Sequence, residues 1–269
     1  MEDKIKRYKQ AAREARIKII ELIWKAQTSH VGSNLSAIDI LTVLYSIANI
    51  DKDLKEDRDR IVISKGWVAA SVYYFLAEKG IIAKEDLETY CRNGSKYIGL
   101  VEPNVRGIEA AGGSMGFGLP FGVGFALAKK IKKEKGKVSV LMSDGEMQCG
   151  TTWESALISA HHKLDNLLVI VDANEFQAMG KVEDILSIEP LKEKWQAFGW
   201  EVREIDGHNF EEIEKSLTIP PNGEKPIAII ARTIKGKGVS FLEGNNLYHY
   251  KAPSDEEYQK ALKELESNG

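Results

Sequence analysis

From residue 137 onward the chain alternates short apolar runs with segments of helical periodicity, and few folds tolerate that order. "KVSVLM", "LLVIVD", "EVREI" and "PIAIIAR" read as strands, and the stretches near Thr151–Leu164, Glu189–Phe198 and Asn209–Leu217 between them read as helices. Apolar strands separated by helices predict a mostly parallel sheet covered on both faces, an α/β fold. The first half extends the pattern. Ile5–Ala26 carries apolar residues at helical spacing, "IVIS" after Arg60 is a further strand, and "KGWVAASVYYFLAEKG" is a helix closing on Gly80. "GIEAAGGSMGFGLPFGVGFALAKKIKK" runs from a glycine-rich turn into an apolar helix with a lysine-rich end. Ser36, with Asp39 three residues later, reads as a variant capping box ahead of "ILTVLYSIA", which makes His30–Leu35 a loop between two helices. Ser254–Leu265 is a charged tail helix.

Composition removes whole classes of partner. The 269 residues hold 37 basic and 40 acidic side chains, a net charge of −3, with no basic stripe interleaved with aromatics, so no nucleic acid is expected. No apolar run approaches the roughly 18 residues of a membrane span, and "MEDKIKRYKQ" lacks the apolar core of a secretion signal. Cys91 and Cys149 lie far apart with no CxxC spacing. The expected setting is cytoplasmic, with no membrane.

The chemistry concentrates at two strand ends. Asp144 follows "VSVLM" and Asn174 follows "LLVIVD", a separation that fits one β-α-β unit. The right-handed crossover makes the two strands parallel, so both side chains emerge at the edge where ligands of open α/β sheets bind. Two hard oxygen ligands suit Mg²⁺, which wants about six and shares them with phosphates, so a diphosphate is expected to complete the set. Gly145 lets that phosphate approach the backbone. An isolated Asp-Gly pair is only a turn; the residue types, the setting and the spacing together carry the reading.

These segments resemble the thiamine diphosphate signature of the transketolase family. "SDGEMQCG" through "VDANEFQAMG" resembles its metal motif, with serine at 143 where glycine is usual. "TSHVGSNLSAIDILTVLY" is similar to the first histidine loop, the Gly113–Gly118 turn to the glycine turn beneath the cofactor, and "TIKGKGVSFLEGNNLYHYKAPSDEEY" to the closing segment. The resemblance implies a thiamine diphosphate-binding fold that occupies residues 1–269 as a single diphosphate-binding domain. It implies thiamine diphosphate and Mg²⁺, or another divalent cation such as Ca²⁺ or Mn²⁺, with Asp144, Asn174 and the Phe176 carbonyl on the metal. His30 and His249 would face the reacting centre. Gly113, Ser114, Met115, Gly145, Glu146 and Trp67 would lie against the cofactor, although methionine also simply fills cores. Glu154 resembles an interface acid and equally fits a solvated helix face, whereas His161, His162 and His208 read as structural.

By the same resemblance, the glutamate that acts on the aminopyrimidine belongs to a pyrimidine-binding domain. That domain and the C-terminal domain are expected on a separate chain, a C-terminal transketolase subunit, in an α2β2 assembly that transfers a two-carbon ketol unit from a ketose to an aldehyde. Three positions depart from the family. Trp67 and Leu100 stand where histidines are usual, and Cys149 where an acid is usual. Losing two donors predicts an altered substrate preference and a flatter, more apolar entrance. The alternatives are a thiamine-dependent acyloin synthase or 2-oxoacid-decarboxylating subunit, and a catalytically silent paralogue. A nicotinamide-binding fold is disfavoured, because the strand, GxGxxG and distal acid do not occur in that order.

Overall fold

The computed structural model describes residues 2–267. Its elements run α1 (Glu2–Ala26), α2 (Val31–Ile47), β1 (Arg60–Ile63), α3 (Ala69–Glu78), α4 (Gly118–Lys132), β2 (Val138–Ser143) and α5 (Gly150–His161). There follow β3 (Leu167–Ala173), α6 (Val182–Leu186), α7 (Leu191–Ala197), β4 (Glu201–Asp206), α8 (Phe210–Thr218), β5 (Ile227–Arg232) and α9 (Asp255–Ser267). The five strands pair in the order β1-β2-β3-β5-β4, every pair parallel. The expected fold class is met.

Because side chains alternate across a strand, each apolar run serves two cores. Ile61, Ile63, Leu141, Leu168, Ile170, Ile227 and Ile229 join one core with α1, α2, α3 and α8. Val62, Val140, Met142, Val169, Val171, Ala228 and Ile230 join another with α4, α5 and α7. The helices therefore lie on both faces of the sheet.

One expectation fails. His30–Leu35 is not a loop: α2 begins at Val31, directly after His30, whose φ of 71° lies in the left-handed region. Residues Val31–Tyr45 are all buried, so α2 shows no amphipathic period, and its polar residues are tied to tertiary partners instead of capping. Ser36 Oγ donates to Asp172 Oδ2 at 2.7 Å, and Asp39 pairs with Arg16 at 2.7 Å. The capping box sits elsewhere, between Ser143 and Glu146 at the tip of β2.

Candidate functional site

Parallel strands place their carboxyl ends on one edge, and the register of β2 on β3 sets Ser143 opposite Asp172, so Asp144 and Asn174 follow on neighbouring tips. A 3-10 turn over Asp144–Gln148 carries the acid away from the sheet. The two tips are joined by a backbone bond: Glu175 N–H donates to Asp144 Oδ2 at 2.7 Å, and Gly145 N–H donates to Oδ1 at 2.8 Å. Asn174 Nδ2 donates to Ser36 Oγ at 3.3 Å and its Oδ1 accepts from Phe176 N–H at 3.1 Å. Phe176 forms a single antiparallel bridge with Lys181. That bridge is bonded through Gln177 to Gly180 and Val182 to Glu175, which leaves the Phe176 carbonyl outside the ladder.

Four buried charges surround these tips. Asp172 is saturated: Lys65 Nζ lies 2.5 Å from Oδ2, and Thr233 Oγ1 donates to Oδ1. Asp144 has backbone donors but no paired cation among the described residues, and burial together with the neighbouring Asp172 pushes its carboxyl up to about 7. Lys235 is almost wholly buried, with Nζ 2.6 Å from Asn246 Oδ1 and 2.9 Å from His249 Nδ1. Burial and the charge of Lys65 lower it to about 8. A buried carboxylate lacking a cation, beside an amide oxygen and a free carbonyl, is a hard-oxygen set that fits a divalent ion. Gln177 Nε2, a buried donor with no partner among the described residues, lies 3.0 Å from where a Cβ on Gly145 would sit, with Met115 Cε 3.3 Å from it. A side chain at 145 would fill this space, and an acceptor at the cleft would satisfy the orphaned donor.

The histidines gather above. His30 N–H donates to the His249 carbonyl at 2.9 Å, and the rings meet edge to face at 4.7 Å. Trp67 stacks on His30, and Tyr250 meets it edge-on. Burial, with His249 and the two lysines nearby, drops His30 to about 3; burial, Lys235 and Lys65 drop His249 to about 4. Both imidazoles are neutral near pH 7.

The remaining sequence candidates separate. Met115 lies near Gly145 and Gly113 near Leu100, with Ser114 and Met115 exposed. Leu100 packs between Gly66 and Gly113, filling with methyl groups the place where an imidazole was expected. Glu146 has no exposed surface, and its carboxylate takes Ser64 Oγ, Ser143 N–H at 2.8 Å and Gly116 N–H at 3.0 Å. It anchors the glycine turn to the β2 tip from beneath. Cys149 lies against Gly116, and both cysteines are free. His208 bonds Asp39 and the Ile234 amide, while His161 and His162 lie exposed at the end of α5. Sequence reasoning missed Lys65, Asp172, Gln177 and Lys235. The signal for Asp172 was an acid inside an apolar strand, which demands a buried partner.

The family model described as transketolase, thiamine diphosphate binding domain, matches residues 7–268. The chain belongs to the transketolase family. It is 39% identical to an apulose-4-phosphate transketolase subunit from Phocaeicola vulgatus over 254 residues, 93% of this chain and 90% of that protein. With the 6-deoxy-6-sulfo-D-fructose transketolase subunit of a Clostridium species it shares 36% over 255 residues, 93% of each chain. The crystal structure of transketolase from Campylobacter jejuni superposes with a TM-score of 0.90 at 32% identity, covering 97% of this chain and 43% of that one. The chain thus spans less than half the length of that transketolase but nearly all of the relatives named as subunits.

Proposed function

We propose that this chain is the cofactor-binding subunit of a split transketolase, which moves a two-carbon ketol unit from a ketose to an aldehyde. The observation that carries the reading is the buried, cation-less Asp144 at the strand tip beside Asn174 and the free Phe176 carbonyl. These three groups would hold Mg²⁺ or another divalent ion, and among the described residues no three His, Cys, Asp or Glu cluster to hold one by themselves. Bound thiamine diphosphate would supply the carbon-carrier chemistry. Gly145, the Gln177 amide, Gly113, Ser114 and Met115 would seat it, with Trp67 and Leu100 as apolar walls.

The chain's own residues supply position and proton handling. The Lys235 ammonium donates to His249 Nδ1, which leaves the ring proton on Nε2, available to a substrate oxygen. His30 shares a 2.6 Å hydrogen bond with Ser29 Oγ through Nδ1 and is held neutral, so its Nε2 can exchange a proton with a hydroxyl. A second chain carrying the pyrimidine-binding and C-terminal domains would complete the site in an α2β2 assembly. Exposed Met115, Phe117, Phe121, Leu157 and Ile158 offer an apolar surface suited to burial against it. Two free cysteines suit a reducing, cytoplasmic setting, and no described helix is long and apolar enough to cross a membrane.

The test is reconstitution. The chain is combined with the separate pyrimidine-domain chain, and the mixture is assayed for thiamine diphosphate-dependent transfer over a panel of ketose phosphates, with pyruvate as the donor for the decarboxylating alternative. Turnover that needs both chains is expected with a ketose. Full activity from this chain alone, or turnover on pyruvate only, overturns the reading.

A further inference from the structure

A second cavity, of about 520 Å³, opens at the same edge of the sheet but beside β4. Its floor is apolar, made by Phe210 and Leu265. Its rim is cationic. Lys6, Lys9 and Arg13 project from one face of α1 at spacings of three and four residues, and Lys237 faces them from the loop after β5. Lys6 leans on Glu2 at 3.6 Å and Lys237 on Glu243 at 3.5 Å, whereas Lys9 and Arg13 have no acidic partner among the described residues. At the back, Asp39 is buried and accepts from Arg16, but its Oδ1 has no hydrogen-bond partner among the described residues. The cavity therefore combines two cations without an acidic partner among the described residues with an apolar floor, while the Asp39 carboxylate at its back is charge-paired with Arg16.

Its wall is also the outer side of the loop that carries Lys235 into the cofactor cleft. Arg16 Nε donates to the Lys237 carbonyl at 3.0 Å, and the Ile234 amide donates to His208 Nε2 at 2.8 Å, which puts the ring proton on Nδ1 toward Asp39. A Cβ on Gly238 would come within 2.9 Å of Arg16 Cδ and Nε, so the turn is shaped around that side chain. On the inner side, Gly236 N–H donates to the Gly32 carbonyl at 2.9 Å, two residues from His30.

We propose that this cavity binds a small organic anion, its phosphate or carboxylate head among Lys9, Arg13 and Lys237 and its apolar body over Phe210 and Leu265. We further propose that residues 234–238 transmit its occupancy to the cofactor cleft. The second statement rests on the cofactor reading above; the first does not. Coupling of this kind is reciprocal, so either ligand reports it.

The experiment titrates the full chain with 8-anilinonaphthalene-1-sulfonate, whose sulfonate and fused rings reproduce the head and body. Expected is one site per chain that persists at saturating thiamine diphosphate and Mg²⁺, with an affinity changed at least threefold. The double variant Lys9→Glu/Arg13→Glu, at one exposed and one half-buried position of α1, is expected to weaken the probe at least tenfold and leave the thermal melt unchanged. No binding, an unchanged affinity in the double variant, or displacement that rises in proportion to thiamine diphosphate overturns the site. An unaltered cofactor affinity in the presence of the probe overturns the coupling. Absence of any thiamine diphosphate binding even when the pyrimidine-domain chain is added defeats the cofactor reading instead, and the double variant still decides the anion site.

Discussion

Trp67 lies flat on His30, with ring centroids 4.5 Å apart and planes inclined by only 8°. The indole is 44% exposed while the imidazole beneath it is buried, so one ring forms wall and the other is fixed by it. The Trp67 carbonyl accepts from Asn34 Nδ2 at 3.2 Å, which ties the wall to the first turn of α2.

Removing that wall should loosen His30 without unfolding the chain. A stacked aromatic pair contributes about 0.5–1.5 kcal/mol beyond area burial, so Trp67→Ala is expected to lower kcat/KM of the assembled enzyme by roughly 2- to 13-fold. Trp67→His restores a polar donor and should shift preference toward xylulose 5-phosphate. Steady-state kinetics on a donor panel measures both; a panel unchanged in order by either variant counts against Trp67 as a specificity residue.

Asp144 should trade stability for binding. Its folded carboxyl is raised to about 7, so between pH 4 and 7 the native chain holds a proton that the unfolded chain has lost, and stability falls as pH rises through that window. Asp144→Asn removes the buried charge and is expected to stabilise the metal-free chain at pH 8 by about 1–4 kcal/mol in urea unfolding. The same variant should weaken Mg²⁺-dependent thiamine diphosphate binding more than about 100-fold by calorimetry.

Protons should compete with the ion. Mg²⁺ affinity, measured with thiamine diphosphate present, is expected to rise up to about tenfold per pH unit from pH 5 to about 7 and then level off, because the carboxyl must ionise first. Chelation should erase the cofactor-induced rise in Tm at pH 8.

The two histidines carry the opposite sign. With folded values near 3 and 4 against an ordinary value of 6.5, they stay neutral in the native chain while the unfolded chain takes up protons. Their contribution is full above about pH 6.5 and is lost as pH falls toward 4, at no more than about 1.4 kcal/mol per unit for each fully linked group. His249 is half-exposed and should give less. The pair His30→Asn/His249→Asn should flatten the acid limb of a pH–stability curve.

Glycine contacts offer a check on the packing beneath the site. A Cβ on Gly66 would sit 2.0 Å from the Gly112 carbonyl oxygen, so Gly66→Ala should destabilise by about 3 kcal/mol or more. Gly124, inside α4, faces open space, and Gly124→Ala should stabilise the isolated chain by up to about 1 kcal/mol. Urea denaturation of both variants gives the two signs.

The strands were legible because burial on both faces leaves an unbroken apolar run, as in Leu167–Ala173, where every residue is buried. Asp144 and Asn174 were legible because they follow such runs at one crossover's spacing. The start of α2 was not, since Ser33, Asn34, Ser36 and Asp39 look like loop residues until their partners are known. Those partners are distant in sequence: Ser71 for Asn34, Asp172 for Ser36, Arg16 and His208 for Asp39. The same holds for Lys65 with Asp172 and Lys235 with His249, pairs that only the folded topology creates. The bonds of Glu146 were hidden for a related reason, because its partners at 64 and 116 come from other elements.

The β1-β2-β3-β5-β4 order has a consequence for biosynthesis. The cleft draws His30 and Lys65 from the first quarter of the chain, Asp144 and Asn174 from the middle, and Lys235 and His249 from near its end, through parallel pairings that close late. A nascent polypeptide released from the ribosome short of β5 would carry Asp144 and Asn174 but not the completed sheet that sets their surroundings. A finished cleft is then a report on completed translation.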